Sequence, residues 1–245
     1  MMVAPKIKRI AEWIANNKEE IIRNAEGHLA EIIQPYPEHL ETFVEVEEYY
    51  SNTSVDVFKV VGTNHPNYTG KFWAEILKVG IRMNNINLPL LKRNPGYYFE
   101  RVSKKPPMYY AEVDGKLYIY GDGNHRTSIA KVLFSYTGHR ELHGVTLHRF
   151  SVNHRKKQLL EELKKVARAK GIFLEIETER RRVGREDREG FHRDYFQIDV
   201  RVAGKSGKFL VIKTDEELRS LINELRNLSW LKKLLGKGRF REIWR

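Results

Sequence analysis

The sequence predicts an α+β protein with helices near its start, a mixed middle domain and a small basic α/β domain at its end. Three observations predict this class: a helix-period apolar pattern over residues 5–34, apolar runs flanking Asp114-Gly115, and a shift to basic composition after residue 150. We expect an N-terminal helical segment at residues 1–40, a middle domain at 41–152 and a basic domain at 153–245.

The elements of the first two segments follow from local patterns. Apolar residues recur at spacings of three and four over residues 5–34, as in an amphipathic helix that "QPYPEH" ends. Asn16, Asn17 and Gly27 could divide this helix into two or three pieces. "ETFVEVEEYY" at 41–50 and "VDVFKVVG" at 55–62 are typical of strands. A helix is expected over 72–81. Two apolar, aromatic-rich runs then flank Asp114-Gly115, which predicts a β-hairpin.

The last part of the chain alternates helix and strand patterns. A strand is expected at 144–152, and a basic amphipathic helix follows until Gly171 ends it. "IFLEIETE" and the run from residue 195 to 214 predict a strand and a hairpin, before a final helix from residue 215. The arginine-rich "ERRRVGREDREG" at 179–190 is expected to be a hairpin loop or a disordered tip.

Composition excludes several classes of protein. The chain has no cysteine, which excludes disulfides, cysteine-ligated zinc and thiol nucleophiles. It has no apolar run of about 18 residues, and charged residues interrupt its first segment before a signal-peptide core could form. We therefore expect a cytoplasmic protein with no membrane partner.

The positive charge is concentrated in the last part of the chain. Residues 1–150 hold 19 basic and 17 acidic side chains, whereas residues 151–245 hold 25 and 15. Such a field attracts polyanions, so nucleic acid is the expected partner; an acidic membrane surface and a merely solvated face are the alternatives. The expected nucleic-acid contacts are Arg155, Lys156, Lys157, Arg180, Arg181, Arg182 and Arg185, with further basic and aromatic residues in "LKKLLGKGRFREIWR".

One stretch, "KLYIYGDGNHRTSIAKVLF" at 116–134, places many polar residues where a strand turns into a helix. Free N–H groups and the positive end of the helix dipole favour an anion there. An arginine fork and two hydroxyls add donors suited to phosphate oxygens. The predicted phosphate-binding residues are Gly121, Gly123, Asn124, His125, Arg126, Thr127 and Ser128.

Each of these residues also has an ordinary structural interpretation. Asp122 could cap the helix, Gly123 could supply a positive φ, and Arg126 could pair with a surface carboxylate. A cap needs one such residue, whereas this turn has five polar or glycine positions in a row. The cluster therefore favours a binding site.

The segment "GDGNHRTSIA" resembles the Gly-x-x-Arg turn of the ParB/sulfiredoxin superfamily, which includes ParB, sulfiredoxin, archaeal free-serine kinases and DGQHR-domain proteins. The resemblance covers the turn and, by the order of elements, residues 41–150. It implies a ParB/sulfiredoxin-like domain in which Gly123, Asn124, His125 and Arg126 contact nucleotide or nucleic-acid phosphate. A nucleoside triphosphate or diphosphate with Mg²⁺ is the implied cofactor, in a DNA-associated protein with NTPase or nuclease activity.

The details of the turn narrow this resemblance. The catalytic cysteine of sulfiredoxin would fall at Asn124, which excludes its redox chemistry. ParB-type turns usually carry charged residues where this chain has Asn124 and His125, so ParB-like CTP switching is not implied. "DGNHR" is similar to the Asp-Gly-x-His-Arg form of the free-serine kinases and DGQHR proteins.

Two alternatives to DNA association stay open. A small-molecule phosphotransferase resembling free-serine kinase would need a carboxylate to orient the attacking hydroxyl, and the candidates are Glu45, Glu47, Glu48 and Asp122. Glu45 and Glu47 share one face of a strand, although solvent-facing positions of a half-buried strand show the same pattern. His125 is a further candidate for proton transfer. The other alternative is a non-catalytic binding module.

Three histidines near residue 140 raise the question of a metal. His139 and His143 would share one helix face, with His148 close by in sequence, but Gly138 and Gly144 argue against a helix there. The spacing also supplies no acidic third ligand. We therefore expect no metal site in these residues.

Overall fold

The structure is a computed structural model that describes residues 5–204 and 208–227. It is a mixed α/β protein whose chain divides into two compact units. The first unit holds the described residues up to Glu38, together with Glu48–Phe150 and Asp187–His192. The second holds His39–Glu47, Ser151–Glu186 and the described residues from Arg193 onward. Among the described residues, no helix is long and apolar enough to cross a membrane.

The described residues of the first unit form two longer helices, of 12 and 14 residues, and three of 4 to 6 residues. They are α1 (Pro5–Asn16), α2 (Lys18–Arg23), α3 (Ile76–Val79), α4 (Leu88–Arg93) and α5 (Asn124–Thr137). The helical pattern predicted over residues 5–34 forms separate pieces. The helix is interrupted at Asn17, between α1 and α2, and a 3₁₀ turn follows at Gly27–Leu29. A π-helical turn at Met83–Asn87 precedes α4.

The strands of the first unit form a mixed sheet. They are β1 (Gln34–Pro35), β2 (Val44–Asp56, from Glu48 onward), β3 (Val60–Thr63), β4 (Tyr109–Val113), β5 (Lys116–Ile119) and β6 (Glu141–Val152, up to Phe150), in the order β1-β3-β5-β4-β6-β2. β4 and β5 are antiparallel, whereas β5 runs parallel to β3 and β4 runs parallel to β6. The predicted hairpin at Asp114-Gly115 is confirmed: both residues have positive φ, as a tight two-residue turn requires.

Helix α5 packs into the core of the first unit. Its residues Ile129, Ala130 and Leu133 are completely buried and belong to the same apolar cluster as Tyr110 and Ile119 of the sheet. The helix ends at Gly138, which takes the left-handed conformation common at helix C-termini. This packing fixes the position of the turn that precedes α5.

The second unit combines two helices with a three-stranded sheet. Its elements are α6 (His154–Ala169), β7 (Glu175–Arg188, up to Glu186), β8 (Phe191–Ala203, from Arg193), β9 (Phe209–Ile212) and α7 (Asp215–Arg226). β8 neighbours β7 and pairs antiparallel with β9. The helices contribute Leu163 and Leu221 to a core shared with Val200. A capping box of Thr214 and Glu217 begins α7.

One prediction for this unit is wrong. The arginine-rich segment at 179–190 is not a loop or a disordered tip, because β7 continues through it to Arg188 and the chain turns only at Glu189–Gly190. Arg181 and Arg182 of this strand pair with Asp199 and Asp194, and Glu179 pairs with Arg201. The predicted domain boundaries at residues 40 and 152 stay predictions.

Candidate functional site

The turn between β5 and α5 is held by backbone conformations that favour glycine. Gly121 and Gly123 have φ values of 108° and 132°, which L side chains rarely adopt. The N–H of Gly121 donates to Oδ1 of Asn64 at 3.0 Å, and the Asp122 carbonyl accepts from the N–H of Tyr109 at 3.1 Å. The turn is therefore tied to the sheet on both sides, and α5 begins directly after it.

Among the residues that the structure describes, no side chain caps the N-terminus of α5. Asp122 stands in sequence where a cap is expected, but its carboxylate instead pairs with the guanidinium of Arg126 at 2.8 Å. The first N–H groups of the helix are consequently left without a side-chain acceptor among the described residues. Such donors, at the positive end of a helix of fourteen residues, favour an anion.

This N-terminus opens into a cleft of about 550 Å³, called here the α5 cleft. One wall is polar and includes the turn itself. The lining also includes apolar side chains that are exposed: Ile81, Ile86 and Leu90 are 82%, 45% and 41% exposed. The α5 cleft is lined by His65, Tyr68, Ile81, Arg82, Ile86, Asn87, Leu90, Pro106, Gly121, Asp122, Asn124, His125 and Arg126.

Arg126 is largely buried and its guanidinium is already occupied. It donates to the hydroxyl of Tyr97 at 2.8 Å and to the carbonyls of Pro106 and Pro107, and it pairs with Asp122. These contacts tie the segment 97–107 to the turn. The predicted phosphate contact of Arg126 is not supported by this arrangement, because a phosphate would have to displace partners that already satisfy the guanidinium.

The hydroxyls of Thr127 and Ser128 are also unavailable. Both residues are completely buried. Thr127 Oγ1 shares a hydrogen bond with the hydroxyl of Tyr110 at 2.7 Å, and Ser128 Oγ donates to the carbonyl of Trp73 at 2.9 Å. Their place one turn into α5 directs them into the core, so their predicted role as phosphate ligands is not supported. Of the predicted set, Gly121, Asn124, His125 and Arg126 line the α5 cleft.

His125 is held at both ring nitrogens. Nε2 lies 2.7 Å from the hydroxyl of Tyr68, and Nδ1 lies 3.2 Å from Nδ2 of Asn87. Burial lowers the pKa of His125 below its ordinary value, an effect that Asp122 opposes and Arg82 reinforces. The imidazole is therefore neutral at pH 7.

Arg82 is a cleft residue that the sequence analysis missed. Its side chain is exposed, lines the α5 cleft and forms no ion pair with another described residue. It is therefore available to bind an anion near the N-terminus of α5. The local sequence "IRMNN" gives no signal of this role, because folding alone brings residue 82 next to the turn.

The three candidate glutamates have partners elsewhere. Glu45 accepts from Asn153 at 2.9 Å and Glu47 pairs with Arg180 at 3.1 Å, both within the second unit. Glu48 accepts from Tyr50 at 2.9 Å. Among the described residues that line the α5 cleft, Asp122 alone has a carboxylate. The predicted catalytic roles of Glu45, Glu47 and Asp122 stay predictions, and so does the phosphotransferase alternative.

The predicted nucleic-acid contacts all have acidic partners. Lys156 is buried, and its Nζ donates to the carbonyls of Ile198 and Lys213 at 2.9 Å, so it is a structural residue and not a surface contact. The other six lie in surface ion pairs, which contribute little energy and which a phosphate can replace. These pairs are Arg155 with Asp215, Lys157 with Glu161, Arg180 with Glu47, Arg181 with Asp199, and both Arg182 and Arg185 with Asp194. The basic tail after residue 227 lies outside the described residues.

The three histidines considered for a metal make separate contacts. His139 lies 3.2 Å from Thr137 Oγ1, His143 lies 2.7 Å from Ser54 Oγ, and His148 packs edge-on against Tyr49. Within residues 5–204 and 208–227, no group of three His, Asp or Glu side chains is arranged to hold a metal ion.

Comparison of the chain with protein-family models, with curated proteins and with solved structures returned no match. The function is therefore inferred from the α5 cleft and the contacts of its residues.

Proposed function

We propose that this protein is a ParB/sulfiredoxin-like protein that binds a nucleotide in the α5 cleft, with the phosphate at the N-terminus of α5. One observation carries the proposal: an uncapped helix N-terminus opens into a cleft whose lining also includes exposed aliphatic side chains. A nucleotide combines an anionic group with an apolar ring, and so matches both kinds of lining.

The phosphate would be bound by backbone N–H groups and by a cationic side chain. The first N–H groups of α5 and the helix dipole favour an anion by ~0.3 to 1 kcal/mol at an exposed site. Arg82 adds a charged fork on the same cleft. Asp122 stays paired with Arg126, which reduces its repulsion of a phosphate.

The nucleoside end would rest on Ile81, Ile86 and Leu90. Covering ~100 Å² of apolar surface contributes ~2.5 kcal/mol at ~25 cal/mol per Å². Inorganic phosphate gains none of this energy. The aliphatic wall is therefore the feature that favours a nucleotide over a simple anion.

Mg²⁺ fits this site only when it binds together with the nucleotide. Mg²⁺ is usually held by one or two carboxylates together with substrate phosphates. Asp122 is the carboxylate that the described cleft residues offer for it, and this group would have to exchange Arg126 for the ion. When bound, Mg²⁺ would neutralise phosphate charge.

The test is thermal melting with ATP, ADP, CTP and GTP, each with and without Mg²⁺. A nucleotide at 100 times its Kd adds ~2.7 kcal/mol of stability. Arg82→Gln should weaken binding about tenfold, since it removes a charge-assisted contact. Arg93→Gln, which changes an exposed arginine of α4 outside the cleft, is the matched control. Absence of a shift with all four nucleotides would refute the proposal.

A second candidate, association with DNA, is favoured by the exposure of basic side chains on α6 and β7. The side chains of Arg155, Arg181 and Arg182 are more than half exposed despite their ion pairs, so a backbone phosphate can reach them. Retention on a DNA column that falls steeply with salt, and weakens in an Arg181→Gln/Arg182→Gln variant, would support it. A protein that flows through at low ionic strength would rule it out.

A further inference from the structure

The donor and the acceptor of the hydrogen bond between Tyr68 and His125 can be assigned. The Tyr68 hydroxyl and Nε2 of His125 lie 2.7 Å apart, and either group could donate. Which one does so depends on the position of the imidazole proton. The residues around the ring determine that position.

The amide of Asn87 is oriented by its own backbone turn. The π-helical turn at Met83–Asn87 brings the Asn87 side chain back to the carbonyl of Arg82, to which Nδ2 donates at 2.9 Å. The opposite orientation would place two oxygens together. Nδ2 therefore faces His125 as well, and its second hydrogen points to Nδ1 at 3.2 Å. Nδ1 must be an acceptor and carries no proton.

The neutral imidazole of His125 then carries its proton on Nε2 and donates it to the Tyr68 oxygen. Tyr68 thus accepts a hydrogen bond from His125, and its own O–H hydrogen is left over. Since Tyr68 lines the α5 cleft, this hydrogen is available to a ligand there.

We infer that Tyr68 determines ligand specificity in the α5 cleft by donating a hydrogen bond from its hydroxyl to an anionic phosphate oxygen of the ligand. His125 is a positioning residue that acts through Tyr68, and Asn87 holds it in one tautomer. The inference rests on the proposed function for the identity of the ligand, but the tautomer is a property of the free protein.

This assignment changes the predicted role of His125. A general acid or base must exchange its proton with the substrate, whereas both nitrogens of His125 are already engaged with Asn87 and Tyr68. Gly80 completes the enclosure, because the imidazole ring occupies the space where a side chain at residue 80 would begin.

The first arm of the test needs no ligand. Long-range proton–nitrogen correlation spectra of the imidazoles, with His125 assigned from a His125→Gln variant, report which ring nitrogen bears the proton. We expect His125 to be neutral and protonated at Nε2 between pH 7 and 8. Protonation at Nδ1, or a charged ring at pH 7, would overturn the inference whether or not a nucleotide binds.

The second arm measures ATP binding by calorimetry for the wild type, Tyr68→Phe and Tyr136→Phe. Tyr136 is an exposed tyrosine of α5 outside the cleft and serves as the control. Tyr68→Phe should bind about tenfold or more weakly, as expected for loss of a hydrogen bond to a charged group, while the control binds like the wild type. Equal binding by Tyr68→Phe would refute this inference alone. Failure of the wild type to bind ATP would overturn the donor role toward ATP. A melting shift with another nucleotide would still support the proposed function.

Discussion

The Nζ atom of Lys131 lies 4.6 Å from the centroid of the Trp73 ring, and the lysine is completely buried in the first unit. Among the described residues, none accepts a hydrogen bond from this amine. Burial lowers the pKa of Lys131 to about 8, although Glu31 and Asp56 oppose the shift. A charge in this position is therefore costly.

Lys131→Met should stabilise the protein at pH 7 by ~1 to 3 kcal/mol. The reason is that lowering the pKa of a protonated lysine by one on folding costs ~1.4 kcal/mol of stability, and methionine carries no such cost. Between pH 8 and about 10 the unfolded wild-type chain binds more protons at Lys131 than the native chain does. The free energy of unfolding of the wild type therefore rises with pH over that range. Urea melts of both proteins across pH 7 to 10 should show the difference shrinking as pH rises. A difference independent of pH would contradict the assignment.

Gly144 and Gly138 have similar backbone conformations but differ in how closely other atoms approach them. Both have positive φ, of 70° and 75°. A Cβ on Gly144 would lie 1.8 Å from the carbonyl oxygen of Val102, whereas nothing lies within 4 Å of one on Gly138. Gly144→Ala should therefore cost ~3 kcal/mol or more, against ~1 kcal/mol for Gly138→Ala, in denaturant melts. Equal losses would mean that φ alone matters at residue 144.

Arg126→Met tests whether the Arg126 guanidinium stabilises the fold or binds the ligand. The variant removes the donor shared by Tyr97, Pro106 and Pro107, so we expect a loss of ~1 to 3 kcal/mol and faster hydrogen exchange in the segment 97–107. Were Arg126 mainly a phosphate ligand, the variant would melt like the wild type and lose only nucleotide affinity. Melting without ligand distinguishes the two cases.

Lys156 and Lys157 are adjacent in sequence but differ in burial. Lys156 Nζ donates to two carbonyls inside the second unit, while Lys157 pairs with Glu161 at the surface. Lys156→Ala should lose ~2 kcal/mol of stability and Lys157→Ala less than ~0.5 kcal/mol. Thermal melts compare them directly, and similar values would refute the structural role of Lys156.

The sequence by itself determined the local conformations around the candidate site. Asp114-Gly115 predicts its hairpin because few other residue pairs adopt positive φ twice in succession. The glycines at 121 and 123 and the apolar run after them likewise predict a tight turn that opens a helix. These features depend on residues close together in the chain, so a short stretch specifies them.

Only the tertiary structure decided which polar groups remain available. Arg126, Thr127 and Ser128 are polar in sequence, yet packing of α5 engages all three side chains with Tyr97, Tyr110 and Trp73. Arg82 and Tyr68 reach the α5 cleft from a different part of the chain. Hydrogen-bond saturation and burial depend on contacts between residues distant in sequence, and no local pattern reports them.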